Sequence, residues 1–310
     1  MLLGVALLVP VVAGVGVAVL WSRVGVVNVP AVVAPVPADV VALVGSDRRS
    51  GVPSGQEAIF GNVDLVPGER ADTVVLVSTL PDGTLRALGL PRDMLVPNER
   101  GEPERLSVRY ERAGPAGLVQ GVCQGVGVPV RTVVVVRFET VRALVDAAGG
   151  VEIDNRAALR DRTLGLELSA GQVRLDGPTA LSYLRSRTLE TRRDGVWEPD
   201  PVRSAARSER AALVASRVAR ELLAPSSVLR GIRALWDVAP SVVVSSGTGP
   251  IDLYRLGASL RGTAGAVVAD LPLEARPGPL PALVPGPATE PALTEFLGAR
   301  PSCSLAEAPS

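Results

Sequence analysis

The sequence contains no histidine and no lysine, so all 32 of its cationic side chains are arginine. This absence excludes Ser-His-Asp triads, Schiff-base lysines, zinc sites built on imidazole and the lysine-bearing phosphate loop. A metal site in this chain must be built mainly from carboxylates and other oxygens. Such a site favours magnesium, manganese or calcium over zinc.

The chain also lacks net charge, because 32 acidic residues balance the 32 arginines. Without a broad cationic field, nucleic acid is not expected as a partner. Aromatic residues make up only 3% of the chain and hydrophobic residues 47%. A core must therefore be built from Val, Leu and Ala, which suits an α/β fold.

Only two cysteines occur, Cys123 and Cys303, and their separation does not match a metal-binding motif. Outside the membrane the two could form one disulfide. A buried free thiol together with a loose cysteine in the tail is the alternative.

The first residues form the longest uncharged stretch, from Leu2 to Trp21. At about 1.5 Å per residue a helix of this length crosses a hydrocarbon layer of roughly 30 Å. A cleaved signal peptide usually has an apolar region of only about 7–15 residues. The pattern predicts an uncleaved anchor over residues 1–23. Pro30, Pro35 and Pro37 then predict an extended stalk over residues 24–38.

Residues 39–275 are predicted to form one domain in which apolar β-branched runs alternate with helical stretches. Pro81-Asp82-Gly83 predicts a tight turn between two strands. The sequence therefore predicts an α/β fold with a mixed central sheet covered by helices. Residues 276–310 are rich in Pro and Gly and are expected to pack loosely, with a short helix near Ala292–Gly298. The expected strands are Val40–Val44, Thr73–Thr79, Leu85–Leu90, Thr132–Phe138 and Val242–Ser245, and the expected helices are Pro115–Gln124, Glu139–Ala147, Pro178–Arg187 and Pro201–Leu223.

Four pairs of charged residues, three of Arg with Asp and one of two arginines, lie at the ends of these elements, where clefts form in α/β sheets. Carboxylates hold a divalent cation and arginine forks bind phosphate oxygens, so together they suit a pyrophosphate. Phosphoryl transfer depends mostly on positioning and electrostatics, and needs neither His nor Lys. The pairs are Asp47 with Arg48, Arg70 with Asp72, Arg92 with Asp93, and Arg185 with Arg187.

A further group of arginines lies on the predicted helix Pro201–Leu223, which Asp200 could cap with Pro201 in its first turn. Arg203, Arg207 and Arg210 are spaced four and three residues apart, so they share one face of that helix. An anion would relieve their mutual repulsion. A solvated helix face is the alternative interpretation.

The order of these motifs resembles the LytR-CpsA-Psr family, and the likeness extends over residues 40–223. The motifs are an apolar strand ending in Gly45-Ser46-Asp47, then Arg70-Ala71-Asp72-Thr73, Pro91-Arg92-Asp93, Phe138-Glu139, Leu144-Val145-Asp146, Gly149-Gly150-Val151, Leu175-Asp176-Gly177 and the run from Ala180 to Arg187.

The resemblance implies a phosphotransferase that moves a glycopolymer, such as teichoic acid or arabinogalactan, from a polyprenyl-pyrophosphate carrier to peptidoglycan. It implies a catalytic domain outside the cell membrane on one N-terminal transmembrane helix, with a deep apolar pocket for the polyprenyl chain. Asp47 and Asp72 match the family's ligands for Mg²⁺, which Mn²⁺ could replace. Asp93 matches a base for the acceptor hydroxyl or a group that orients Arg92. The implied phosphate ligands are Arg70, Arg92, Arg185, Arg187 and either Arg203 or Arg207.

The chain departs from the family pattern in several places. Thr188 stands where the family often has histidine, and Ser204 and Ala211 replace the usual acid and amide around the helix arginines. Arg105-Leu106-Ser107 follows the Pro-Arg-Asp motif where a lysine would be usual. A longer insertion before Asp72 contains Asp64, which is a rival metal ligand. Hydrolysis of the pyrophosphate, or binding of lipid-linked glycan without turnover, are the alternative functions.

Overall fold

The computed structural model describes residues 16–48, 69–186, 188–199, 205–262, 269–278 and 282–306. Its centre is a seven-stranded mixed sheet, which confirms the predicted fold class. The five predicted strands all lie in this sheet. In their order across the sheet, the strands are β1 (Gly25–Val27), β15 (Val242–Ser245), β8 (Thr132–Arg137), β3 (Asp39–Arg48), β4 (Glu69–Thr79), β5 (Leu85–Leu90) and β16 (Ala269–Asp270).

The predicted turn at Pro81-Asp82-Gly83 joins β4 to β5 as an antiparallel hairpin. Asp82 Oδ1 accepts a hydrogen bond from Thr84 N at 2.8 Å, and Gly83 adopts a positive φ of 83° that a side chain would disfavour. On its other side β4 runs antiparallel to β3, and β3 runs parallel to β8. Local turn chemistry and apolar patterning therefore determine the centre of the sheet.

One face of the sheet is covered by helix α1 (Leu106–Val126). Val40, Val74 and Leu76 on that face are buried against Leu118 and Val122 of the helix in one apolar cluster. The helix is longer than predicted, because Gly114 takes a positive φ of 58° and lets the chain continue through a kink into Pro115. Branched aliphatic side chains fill this layer, as the low aromatic content requires.

The opposite side carries five of the described helices. The first four of them share a second apolar cluster that includes Val145, Tyr183, Val214 and Ala234. The five helices are α2 (Phe138–Ala147), α3 (Gly177–Arg185), α4 (Ala205–Leu222), α5 (Val228–Val238) and α6 (Pro250–Gly262). The third predicted helix ends at Arg185 rather than Arg187.

Short strands that the sequence did not predict pack beside this second cluster. Their alternation of buried and exposed residues, as in Val151, Ile153 and Asn155, runs for only five residues. The structure pairs β9 (Val151–Asn155) with β12 (Gly171–Leu175), and forms a four-stranded sheet from β11 (Leu166–Leu168), β10 (Leu159–Asp161), β13 (Glu190–Arg193) and β14 (Val196–Pro199).

The extended stalk predicted for residues 24–38 differs from the structure. Gly25–Val27 form the edge strand of the central sheet beside β15, and Val36 and Ala38 are buried in the first cluster. β2 (Val32–Val33) lies in the same segment. Proline spacing suggested a linker, but the apolar residues between the prolines find partners in the sheet and core.

The C-terminal extension packs more tightly than its composition suggests. The predicted short helix is present as α7 (Thr289–Leu297), and its Phe296 and Leu297 are buried in the first cluster. Near the end of the chain β19 (Ser304–Leu305) pairs with β2. Two more pairs of short strands belong to the described fold. They are β6 (Leu95–Pro97) with β7 (Pro103–Arg105), and β17 (Leu273–Arg276) with β18 (Ala282–Pro285).

Cys123 on α1 and Cys303 beside β19 form a disulfide. Of the two alternatives for the cysteines, the structure therefore shows the bridge. It ties the last residues of the chain to the helix under the sheet. In the part of the chain that the structure describes, no helix is both long enough and apolar enough to cross a membrane.

Candidate functional site

The charged motifs at the ends of four central strands meet at one edge of the sheet. β3 and β8 are parallel, so their carboxyl ends lie together, and Ser46 is the register partner of Arg137. β4 is antiparallel to β3 and begins at the same edge, where Asp47 pairs with Arg70. β5 ends there as well. This set of strand ends, called the site edge below, is where ligands bind in open α/β sheets.

The ladder between β3 and β4 is interrupted at the site edge by a β-bulge. Gly45 pairs with Thr73, but Ser46 pairs with Ala71, so Asp72 is the extra residue on β4. Bulges occur frequently beside active sites because they bend a strand and redirect its side chains. Arg70 and Asp72 therefore lie inside β4 rather than before it, and one predicted metal ligand occupies the irregular position.

Arg92 and Asp93 follow β5 directly at the site edge. The Arg92 Nε lies 3.7 Å from Asp93 Oδ2, and Arg105 NH1 lies 3.8 Å from Asp93 Oδ1. Ser107 N also donates to the Arg92 carbonyl oxygen at 3.1 Å, which links the loop after β5 to the start of α1. Asp93 is thus flanked by two guanidinium groups, and Arg105 joins the predicted set.

A second group of polar residues surrounds Ser186, which follows α3. Asp161 on β10 is only 1% exposed. It accepts hydrogen bonds from Ser186 Oγ and, at 3.1 Å, from Thr188 Oγ1. The backbone N–H groups of Thr163 and Leu164 donate to its other oxygen at 2.9 and 3.2 Å. Asp161 thereby holds the chain on both sides of position 187.

Burial raises the pKa of Asp161, but the hydrogen bonds from Ser186, Leu164, Thr188 and Thr163 outweigh it and hold the pKa below its ordinary value. The carboxylate is therefore ionised at neutral pH.

Arg210 connects this group to α4. Its NH2 donates to the Ser186 carbonyl oxygen at 2.9 Å, and its guanidinium lies 5.3 Å from the centre of the Tyr183 ring. The residue is 7% exposed. Of the three helix arginines grouped by spacing, Arg210 has a described side chain, and this side chain lies beside Ser186.

Two of the sequence motifs have a structural explanation at the junction of α2 and α3. Asp146 Oδ1 accepts a hydrogen bond from Gly177 N at 2.7 Å. Asp176 caps α3 by accepting from Thr179 N at 2.9 Å. A Cβ on Gly177 would come within 2.6 Å of the Arg142 carbonyl oxygen, so only glycine fits. These residues position the helix that ends in Arg185.

Several predicted site residues lie outside the described residues, namely Arg187, Arg203 and Asp64. The structure gives the backbone of Asp47, Arg70, Asp72 and Arg207, while their side chains lie outside what it describes. Among the described side chains, no group of three or more His, Cys, Asp or Glu residues could hold a metal ion.

Sequence reasoning did not single out Asp161 or Arg137. Asp161 lies in Arg160-Asp161-Arg162, which reads as an exposed strand of alternating charge. Arg137 is the next-to-last residue of the predicted strand Thr132–Phe138, and it is a single charge without a neighbouring aspartate. Its position at a strand end is the one signal that could have indicated it.

A family model described as the LytR_cpsA_psr family matches residues 35–275 of the chain. The chain is 28% identical over 145 residues to the probable cell wall biosynthesis protein LcpB of Corynebacterium glutamicum, covering 47% of this chain and 35% of that relative. It is 33% identical over 137 residues to the polyisoprenyl-teichoic acid–peptidoglycan teichoic acid transferase TagU of Oceanobacillus iheyensis, covering 40% of this chain and 41% of that relative. The match thus spans less than half the length of both.

Among solved structures, the fold is similar to that of a LytR-Csp2A-Psr enzyme from Actinomyces oris. The two share a TM-score of 0.69 and 28% sequence identity, over 92% of this chain and 99% of that one.

Proposed function

The chain belongs to the LytR-CpsA-Psr family, and we propose that it is a membrane-anchored phosphotransferase that acts outside the cell. Its substrate would be a glycopolymer on a polyprenyl-pyrophosphate carrier, and its acceptor a hydroxyl of peptidoglycan. The relative TagU is named for transfer of polyisoprenyl-linked teichoic acid to peptidoglycan. The acceptor oxygen would attack the phosphorus that bears the glycan, and polyprenyl phosphate would leave.

The observation that carries this proposal is the convergence of opposite charges at the site edge. The strand register brings Asp47, Asp72 and Arg70 to the same end of the sheet as Arg92 and Asp93. Guanidinium groups bind phosphate oxygens bidentately and keep their charge at any physiological pH. Such a group of arginines can hold a pyrophosphate and stabilise charge on its oxygens during transfer.

Magnesium fits the donor set on chemical grounds. Asp47 on β3 and Asp72 at the bulge in β4 come from paired strands and offer only oxygen ligands, which Mg²⁺ prefers. When bound, the ion would neutralise negative charge on the pyrophosphate oxygens. Asp64 remains the rival ligand, and Mn²⁺ would suit the same oxygens.

The protein's own residues supply the remaining roles. Arg92, Arg70 and Arg185 would bind phosphate oxygens, together with Arg187 and one arginine of α4, Arg203 or Arg207. Asp93 would accept the proton of the acceptor hydroxyl, or hold Arg92 in place, since it lies 3.7 Å from Arg92 Nε. The ion pair with Arg105 keeps this carboxylate near the phosphate ligands in either role.

The face of the sheet opposite α1 offers a place for the polyprenyl chain. Val75 and Val77 on β4 form an apolar cluster with Leu43, Leu85 and Ala87, and this cluster meets α4 through the small side chain of Ala212. Leu43, Leu85 and Ala87 remain partly exposed. Partly exposed apolar side chains on this face would suit a lipid chain that begins at the site edge.

The disulfide supports an outward-facing domain. Bridges such as Cys123–Cys303 persist in oxidising surroundings outside the membrane and are rare in the cytosol. The uncharged stretch from Leu2 to Trp21 would then anchor the domain on the outer surface.

Turnover tests the proposal. The full chain, incubated with a polyprenyl-pyrophosphate glycan and peptidoglycan, should form glycosylated peptidoglycan only with Mg²⁺ or Mn²⁺. Arg92→Ala and Asp72→Ala should each lower the rate by about 100-fold or more, because the first removes a phosphate ligand and the second a ligand of the metal ion. Arg300→Ala is the matched control, since its side chain is 83% exposed and pairs with Glu290. Release of polyprenyl phosphate without an acceptor would indicate hydrolysis, and binding without turnover would refute the transferase.

A further inference from the structure

Helix α5 carries large apolar side chains on the side that faces solvent. Leu229 is 83% exposed, Ile232 55% and Trp236 41%. These residues are spaced by three and four, so they form one stripe along the helix. Leu235, which is 46% exposed, widens this stripe. The four residues together are called the α5 apolar face below.

Packing among the described residues does not account for the α5 apolar face. Ala234 and Val238 on the other side of the helix are already buried, and Gly231 allows close approach to the backbone of Leu222. A helix on the surface of a soluble domain normally presents polar residues outward. A contiguous exposed apolar patch marks contact with a membrane or another protein.

The N-terminal segment enters the domain beside this face. The Arg23 guanidinium lies 4.3 Å from the centre of the Trp236 ring. Residues 16–21 are helical, and Val24 N donates to the Trp21 carbonyl oxygen at 3.0 Å. Three residues separate Trp21 from Gly25, the first residue of β1, and they span at most about 10 Å. The uncharged stretch therefore ends next to the α5 apolar face.

We infer that the α5 apolar face lies in the interface of the bilayer that the N-terminal segment enters, an inference that rests on the proposed membrane anchor. With so short a connection, a bilayer that holds Leu2 to Trp21 must lie against the end of α5. The exposed Leu229 and Ile232 would enter the boundary between headgroups and acyl chains, as in other interfacial helices. Tryptophan is enriched at that depth.

The charges around the face favour an anionic lipid surface over a protein partner. Arg23, Arg230 and Arg233 are exposed beside it, and Asp237 is the one acidic residue of α5. Basic residues next to an apolar stripe bind the phosphates of anionic lipids. An anionic bilayer would therefore contact both the α5 apolar face and the arginines beside it.

Docking of the α5 apolar face on the bilayer would also orient the site edge towards the membrane surface. β15 runs antiparallel to β8, so Val242 at the start of β15 pairs with Val136 near the end of β8. β1 is parallel to β15 and begins at the same place. The chain thus leaves the membrane at the edge of the sheet where Arg137 and Ser46 lie. The pyrophosphate of a lipid carrier would reach this edge without leaving the headgroup region.

Quenching of tryptophan fluorescence tests the inference in vesicles of phosphatidylcholine and phosphatidylglycerol that contain the full chain. The sequence has three tryptophans. Trp21→Phe with Trp197→Phe leaves Trp236 as the reporter, and Trp21→Phe with Trp236→Phe leaves Trp197 as the matched control. Lipids brominated near the headgroup should quench Trp236 severalfold more strongly than Trp197, whereas aqueous iodide should quench Trp197 more.

A second pair of variants separates docking from loss of fold. Leu229→Asp with Ile232→Asp alters only exposed positions and should reduce quenching of Trp236 by brominated lipid. Val33→Asp, at a position that is 59% exposed on β2, should leave it unchanged. Circular dichroism of each variant should match that of the parent.

Three results would overturn the inference. Equal quenching of Trp236 and Trp197 by brominated lipid would place the face in water. Protection of Trp236 from both brominated lipid and iodide would indicate a protein partner or a second copy of the chain. Failure of the chain to float with the vesicles would remove the anchor itself. None of these measurements depends on turnover. An inactive protein could still dock on the membrane, so failure of the transferase proposal can be distinguished from failure of this inference.

Discussion

Asp161 is a buried carboxylate whose hydrogen bonds hold the backbone on both sides of position 187. Ser186 and Thr188 donate to one of its oxygens, while backbone N–H groups donate to the other. The carboxylate touches neither the site edge nor its arginines in the described contacts. Its influence on phosphate binding would therefore be indirect, through the position of Arg185 and Arg187.

Replacing Asp161 by asparagine should lower both stability and activity. The amide offers one acceptor oxygen instead of two, so some buried donors lose their partner, and the free energy of unfolding should fall by about 1–3 kcal/mol. Urea denaturation measures this change, and Asp154→Asn, at an exposed position of strand β9, is the matched control. A KM for the pyrophosphate substrate that stays constant in Asp161→Asn would contradict the positioning role.

The pH dependence of stability should reveal the same carboxylate. The folded pKa of Asp161 lies below its ordinary value of about 3.9. Its stabilising contribution is therefore present above about pH 4 and disappears as the pH falls through the folded pKa. The stability difference between the parent and Asp161→Asn should be constant near neutral pH and shrink under acid conditions, in urea titrations at stepped pH.

At the scale of single residues, the sequence indicated those at strand ends and missed those fixed by distant contacts. Arg92 and Asp93 could be predicted because a buried strand ends at Leu90 beside them. Asp161 could not, because its partners Ser186 and Thr188 are 25 or more residues away along the chain. No local pattern distinguishes such a buried aspartate from an exposed one.

Among the secondary structure elements, long apolar strands were predictable and short polar ones were not. Leu85–Leu90 has the predicted bounds, since turn residues precede it and a proline follows it. The strands from Val151 to Pro199 are three to five residues long, so their alternation is too brief to be recognised. That region nevertheless carries Asp161 and so contributes to the site.

The junction of α2 and α3 should be sensitive to a single methyl group. In Gly177→Ala the new Cβ would lie 2.6 Å from both the Arg142 carbonyl oxygen and Asp146 Oδ2. We expect the two helices to separate at a cost of about 1–3 kcal/mol, which urea denaturation would show as a lower midpoint. Gly249→Ala is the matched control, because its nearest atom would be 3.5 Å away. Equal midpoints for the two variants would refute the close fit.

At the scale of the whole molecule, two segments far apart in the sequence are joined. β2 in the predicted stalk pairs with β19 in the predicted loose tail, and Ala306 N donates to the Ala31 carbonyl oxygen at 2.9 Å. Sequence reasoning treated the two segments separately, because a pairing across almost the full chain leaves no local pattern. The proline-rich composition of both segments favoured a linker interpretation.

The disulfide should contribute much of the stability of the fold in which β2 pairs with β19. Cys123–Cys303 closes a loop with a sequence separation of 180 residues, so its loss frees much entropy in the unfolded chain. We expect the variant with both Cys123→Ser and Cys303→Ser to lose about 2–5 kcal/mol of stability. The melting temperature of this variant should lie roughly 5–15 °C below that of the parent when both are measured in one detergent. Reductant should lower the melting temperature of the parent by a similar amount and leave that of the variant unchanged. A parent that melts at the same temperature with and without reductant, while its thiols are shown to be free, would contradict the role assigned to the bridge.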